Sequence, residues 1–268
     1  MGQTKSVQLK TSEQVEIIRA NGLILANAHA EVAKILEPGV TTKQLDTVAE
    51  TYIRDNGGIP SFKGYNGFPA TLCISVNEVV VHGIPSTRVI KEGDIVSIDG
   101  GVCKNGFHAD SAYTYGVGEI SKEAVHLLKI TKASLYAGIA AIQKQGRMGD
   151  VSYAIQHLCE SEGFGIVREL VGHGVGRNLH EAPEVPNYGK RGNGVRLQSG
   201  MVIAIEPMVT AGKRYVVQEP DNWTIRTEDR SLAAHFEHTV LITKEGSDIL
   251  TTFAPIEAVL RQKESLIV

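Results

Sequence analysis

Four carboxylates and one imidazole, Asp99, Asp110, His173, Glu206 and Glu237, stand in the contexts DIVSIDGG, GFHADSA, VGHGVG, IAIEPM and HFEHT. They make a donor set of hard oxygens with a single nitrogen, which suits a pair of divalent ions such as manganese, iron, cobalt or zinc. A closed structural zinc site would instead cluster Cys and His within a short span, whereas these residues run from position 99 to position 237. Charge balance favours two ions over one, because two divalent cations neutralise four carboxylates and leave a bridging hydroxide as the nucleophile. Without metal, the acids would repel one another and hold raised pKa values.

Each residue has a blander explanation when taken alone. An Asp near a hairpin is usually a turn or surface residue, Glu206 before Pro207 could end a strand, and His173 among Gly172, Gly174 and Gly176 could be a loop histidine. Glu206 and Glu237 shift the balance, since both follow apolar strand-like runs, MVIAI and SLAAHF, where an unpaired acid is costly. Other motif matches fail in context. His180-Glu181 begins like HExxH, but Ala182, Pro183 and Glu184 follow, with no second His. GHGVG lacks the dinucleotide spacing, and neither a G-x-S-x-G elbow nor a P-loop is present.

The elements that must carry these residues are legible in outline. Thr11 and Gln14 form a capping-box pattern before an apolar-periodic stretch to about Leu36, and Thr41 and Gln44 repeat it before a second helix that stops at Asn56. Strand-like runs follow at 70–76, 78–82, 94–103 and 107–116. After Ser121 the order restarts with a helix to about Gln145, a second from Asp150 to Glu162, and then strands. Two blocks of helix, helix and strands predict a duplicated, pseudo-twofold α/β fold in which both halves feed one sheet, with helices on one face and the site on the other. No Pro-, Ser- or Gly-rich linker divides them, so 1–268 is read as one catalytic domain with halves at about 11–118 and 120–254. Within the first half, Asn105-Gly106 is a strong two-residue hairpin signal. That turn sets Lys104 against Phe107 and Asp99 against Ala112, and it puts Asp110 diagonal to Asp99 on one face, about 7 to 8 Å away. The same count is taken to place His108 on the opposite face, as a structural residue.

Composition sets the outer bounds. The 268 residues carry a net charge of −3, with no basic field for nucleic acid or anionic membrane, and the basic stretch 190–196 is read as a solvated loop. Three cysteines, Cys73, Cys103 and Cys159, have no CxxC spacing and fit a reducing cytosol. No apolar run reaches transmembrane length, and the polar start does not read as a signal peptide. Residues Gly2 to Ser6 match the myristoylation pattern, which counts only where the host has the transferase.

On NEVVVHGIP, SIDGGVCKNGFHADSA, GHGVGRNLHEAP, IAIEPM and NWTIRTEDRSLAAHFEHT, in that order and spacing, the chain resembles the short, bacterial-like type I methionine aminopeptidases from about residue 11 to residue 254. The resemblance implies their duplicated pita-bread fold, α+β with a central antiparallel sheet and helices on its outer face. It implies that Asp99 chelates one metal, that His173 and Glu206 bind the other, and that Asp110 and Glu237 bridge both. His82 and His180 would contact the scissile peptide, His180 at the carbonyl oxygen and His82 at the amide nitrogen, and Glu206 would shuttle the proton. Phe62, Tyr65, Phe68, Cys73, Leu179 and Trp223 would wall the methionine pocket. The implied reaction removes initiator methionine from nascent chains when the second residue is small. It would take place in the cytoplasm, by a monomer, with the ribosome as a candidate partner, and it would extend to the chain's own Met1-Gly2. Asn66, Leu179 and His235 depart from the common residues of that family, which puts pocket shape in question and leaves the reaction class alone. Proline-specific relatives carry an additional N-terminal domain and type II enzymes a helical insertion. A metal-free docking protein on the same fold would be expected to have lost a ligand.

Overall fold

The computed structural model describes residues 6–143, 146–263 and 265–267. Met1 and Gly2, on which self-processing and myristoylation depend, lie outside them. Both capping boxes form. The Thr11 hydroxyl accepts the Gln14 N–H and the Gln14 side chain accepts the Thr11 N–H at the start of α1 (Ser12–Ile35), and Thr41 with Gln44 does the same for α2 (Thr42–Asp55). Helix α3 (Lys122–Ala140) starts from the Ser121 hydroxyl. It ends earlier than its periodicity predicts, because the Ile142 N–H turns back to the Ile139 carbonyl and Ile142 enters the core. The expected end at Gln145 lies outside the described residues. Helix α4 (Met148–Ser161) begins two residues before the expected Asp150, since Asp150 stands at the third helical position and its carboxylate accepts the N–H of Arg147, the N-cap residue. A short helix, α5 (Ala254–Leu260), follows the last long strand.

The strands of the first half are β1 (Ile59–Pro60), β2 (Leu72–Val76), β3 (Val79–Val81), β4 (Ile95–Lys104) and β5 (Phe107–Val117). Those of the second half are β6 (Gly165–Ile166), β7 (Gly172–Gly174), β8 (Glu181–Val185), β9 (Val202–Ile205), β10 (Met208–Thr210), β11 (Val216–Gln218), β12 (Ile225–Thr227), β13 (Ala233–His235), β14 (Glu237–Ile242) and β15 (Ser247–Ile249), with β16 (Leu266–Ile267) near the end. The main sheet runs β1-β4-β5-β14-β9-β7-β8, with β2, β15 and β16 attached at β4, β14 and β5, and every one of these pairings is antiparallel. The two halves of the chain meet at its middle, where Glu237 faces Ala112 and His238 faces Ser111.

Steric contacts define the two faces of the sheet. A Cβ on Gly100 would meet Leu25 and come near His29, both on α1, whereas one on Gly101 would meet Ser61 and Phe62. Because side chains alternate along a strand, Gly100 belongs to the helix face and its neighbour Asp99 points the other way. The largest apolar core lies on the helix side, where Leu127, Leu128, Leu135 and Ile155 from α3 and α4 join Ile98, Tyr113 and Ile205 from the sheet and Phe236 from between β13 and β14. Burial of these side chains holds the strands to a common register.

Candidate active site

The β4–β5 hairpin forms as its turn predicts. Asn105 and Gly106 both have positive φ, at 53° and 75°, as a primed two-residue turn requires. The ladder is unbroken from Lys104↔Phe107 through Gly101↔Asp110 and Asp99↔Ala112. Asp99 and Asp110 are therefore diagonal neighbours on the face away from α1. The placement of His108 on the opposite face is incorrect. It pairs with Cys103, two residues before Asp110, and an unbroken ladder puts both on one face. What keeps His108 out of the cluster is its separation along the strand and a 2.8 Å hydrogen bond with the Ser61 hydroxyl.

The second half supplies the other three residues. Thr239 of β14 ties in the Asp110 backbone, accepting its N–H at 3.0 Å and donating its hydroxyl to the Asp110 carbonyl at 2.8 Å. This places Glu237, two residues earlier on β14, beside Asp110. Glu206 follows the last residue of β9, Ile205, which is paired with His238. His173 stands between two glycines that have no room for a side chain: a Cβ on Gly172 would lie 2.4 Å from the Ala204 carbonyl oxygen, and one on Gly174 2.3 Å from that of Ala182. The glycines thus let β7 approach its neighbours closely, and the histidine alone projects.

The His173 ring directs Nδ1 to the Gly174 carbonyl at 2.9 Å. If that nitrogen carries the proton, Nε2 keeps a free lone pair facing the acids, 3.5 Å from Glu206 Oε1 and 3.8 Å from Asp110 Oδ2. Atoms of Asp110, His173 and Glu237 lie within 4.8 Å of one another. Burial first, and then neighbouring acids, pushes the carboxyls of Asp99, Asp110, Glu206 and Glu237 well above the usual carboxylate range, while burial lowers His173 to about 4. Asp99 Oδ1, Asp110 Oδ1 and Glu237 Oε1 are buried without a hydrogen-bond partner. Orphaned, mutually repelling oxygens beside an unprotonated imidazole nitrogen are what a divalent cation would satisfy, so these residues fit a metal centre.

The cluster lines a cavity of about 350 Å³ together with His82, His180 and all six residues of the expected methionine pocket, Phe62, Tyr65, Phe68, Cys73, Leu179 and Trp223. Phe68 and Trp223 meet edge to face at 5.1 Å. His82 is held at φ 59°, a conformation that costs a residue with a Cβ of order ~1–3 kcal/mol. The next residue, Gly83, is pressed against the Ile74 carbonyl, with its N–H on the Ser75 hydroxyl. His180 sits at the exposed mouth, Nδ1 2.9 Å from the Tyr65 hydroxyl and ring centroid 4.0 Å from that of His173. His235 is buried with Nε2 3.6 Å from Glu206 Oε2, and burial, reinforced by His82, lowers it to about 3. Leu170, Val171 and Met208 also line the cavity and went unrecognised in the sequence. Met208, two places after Glu206, could have been found by alternation, whereas Leu170 and Val171 carry no comparable signal.

A buried acid cluster with one imidazole, sharing a cavity with apolar side chains on an antiparallel sheet, fits a metal-dependent hydrolase. Residues 16–244 match the model of metallopeptidase family M24. The chain is 53% identical over 242 residues to methionine aminopeptidase 1 of Bacillus subtilis, covering 90% of this chain and 98% of that one. It is 41% identical over 248 residues to the methionine aminopeptidase of Escherichia coli, covering 92% and 94%. The crystal structure of the Thermotoga maritima methionine aminopeptidase superposes with a TM-score of 0.91 at 46% identity, covering 92% of this chain and all of that one. A prolidase from Pyrococcus furiosus shares the fold alone, with a TM-score of 0.73 at 23% identity over 91% of this chain and 65% of that longer one. The chain belongs to family M24 and, within it, to the methionine aminopeptidases.

Proposed function

We infer that this enzyme removes the N-terminal methionine of polypeptides whose second residue is small, in a metal-dependent hydrolysis. The observation that carries the reading is the joining of two features in one cavity: an apolar cluster of Phe62, Phe68, Cys73, Leu179 and Trp223, and the buried acids that line the same cavity. Methionine's flexible, polarisable thioether suits such a cluster. In this reading Asp99 would hold one divalent ion, His173 and Glu206 would hold the other, and Asp110 and Glu237 would serve as ligands to both. When bound, the ions would supply Lewis acidity and lower the pKa of water. Glu206 takes the proton from the attacking water and delivers it to the leaving amine, as base and then acid. His180, steadied by Tyr65, faces the scissile carbonyl oxygen, and His82 faces the amide nitrogen.

The reading extends to a single catalytic domain of two related halves, each opening with two helices and each giving strands to the shared sheet. It also extends to nascent chains at the ribosome as substrates, a cytoplasmic location and a monomeric state. Three free thiols support a reducing compartment. Among the described residues, no helix is long and apolar enough to cross a membrane. The test is mass spectrometry of three peptides with a common tail and Met, Leu or Ala at the N-terminus, incubated with metal-loaded enzyme. Trimming of the Met peptide alone is expected, and equal trimming of the Leu peptide would overturn the methionine reading.

A further inference from the structure

We propose that Lys10, in the segment leading into α1, is a positioning residue for His180, an inference that rests on reading His180 as substrate-facing. Lys10 Nζ lies 2.5 Å from Glu181 Oε2, and the two side chains are only 4% and 6% exposed. An ion pair so deeply buried is not a solvated surface contact, and removing either partner leaves the other charge uncompensated.

Both partners are fixed at further points. The Lys10 N–H donates to the Gly200 carbonyl at 2.7 Å, and its ammonium also donates to the Gln8 carbonyl at 2.9 Å. The other oxygen of Glu181, Oε1, accepts the Asn178 N–H at 3.0 Å. Asn178 and Glu181 bracket Leu179 and His180, so a single carboxylate closes the loop whose two middle residues line the cavity. Gly176 packs against the pair. A Cβ there would lie 2.5 Å from Lys10 Cε and 2.7 Å from Glu181 Oε1, and the Gly176 N–H donates to the Asn178 carbonyl at 3.1 Å. From the cavity side His180 has the Tyr65 hydroxyl and the face of His173. From the protein side the base of its loop is held by Glu181, and Glu181 by Lys10. This gives Glu181 a task distinct from the proton transfer that an HExxH motif would have assigned it.

Without the ammonium, the buried carboxylate is drawn towards solvent and carries residues 178–180 with it. A displacement of about 1 Å at a group that meets the substrate can cost on the order of 100-fold in rate. The test compares wild type, Lys10→Met, His180→Ala and the double variant as metal-loaded enzymes, reading kcat for methionine release together with metal content. The expected result is that Lys10→Met lowers kcat about 10- to 100-fold in the wild-type background and less than about twofold once His180 is gone, metal content being unchanged. A pair that merely stabilises the fold would lower both backgrounds equally, and that result, or an unaltered Lys10→Met beside an impaired His180→Ala, overturns this inference alone. A wild-type rate in His180→Ala overturns the reading of His180 itself. Should Lys10→Met fail to fold, Glu181→Gln, which keeps an acceptor for the Asn178 N–H, takes its place in the same cycle.

Discussion

Asp110→Asn should stabilise the metal-free protein while depriving it of activity, and the stabilisation should grow with pH. Asp110 and Glu237 offer oxygens within 4.8 Å of each other, so when both are ionised their repulsion at an effective dielectric of about 20 is about 3 kcal/mol. Asp99 and Glu206 add to the same field. The sign follows from the direction of the shifts. These carboxyls are raised in the folded state, whereas in the unfolded chain they ionise near their ordinary value of about 4. Below about pH 4 both states are protonated and the stability is fully present. As pH rises through the raised folded values, it is lost. Urea unfolding of chelator-treated protein, followed by circular dichroism from pH 4 to pH 9, measures this directly. Wild type should weaken steadily with pH, and Asp110→Asn should match it to about 1 kcal/mol near pH 4 and exceed it by up to about 3 kcal/mol at pH 9. With divalent metal added, the order should reverse. A constant difference across the pH range, or a less stable Asp110→Asn at pH 9, would refute the idea that repulsion among these acids dominates the empty site.

Three further outcomes can be checked with standard assays. Trp223→Ala removes the edge-to-face partner of Phe68 and opens the cavity, so KM for methionyl peptides should rise about tenfold, equivalent to ~1.4 kcal/mol, with kcat less affected in steady-state assays. His82→Asn keeps a side chain that tolerates the positive φ of this position, so its thermal unfolding should stay close to wild type while kcat/KM falls about 100-fold; an equal loss of stability would point to a purely structural histidine. Gly172→Ala would drive a Cβ to 2.4 Å from the Ala204 carbonyl oxygen. This should lose about 1–3 kcal/mol in urea unfolding and weaken metal binding by displacing His173, measured by titration of the stripped protein.

Local signals carried much of the fold. Two capping boxes, the Asn105-Gly106 turn and the strand runs before Glu206 and Glu237 are short-range patterns, and the structure realises each of them. The diagonal of Asp99 and Asp110 followed from counting outward from one turn, because a two-residue hairpin fixes register. The same counting misplaced His108 through an error of parity, which the ladder corrects. What was not legible depends on contacts between distant segments. The pairing of β5 with β14, which joins the halves, has no local signature. The early end of α3 reflects burial of Ile142 and not helix propensity, and Lys10 finds Glu181 across most of the chain.

The most direct test of the central claim is release of free methionine from Met-Gly-Gly and Met-Lys-Gly by chelator-stripped enzyme, with manganese, iron, cobalt or zinc added back singly. The acid cluster and apolar residues that share one cavity predict no release from the stripped protein and rapid release from Met-Gly-Gly alone once a suitable ion is restored. Cleavage without metal, or no cleavage by folded protein that has demonstrably taken up its ions, would contradict it.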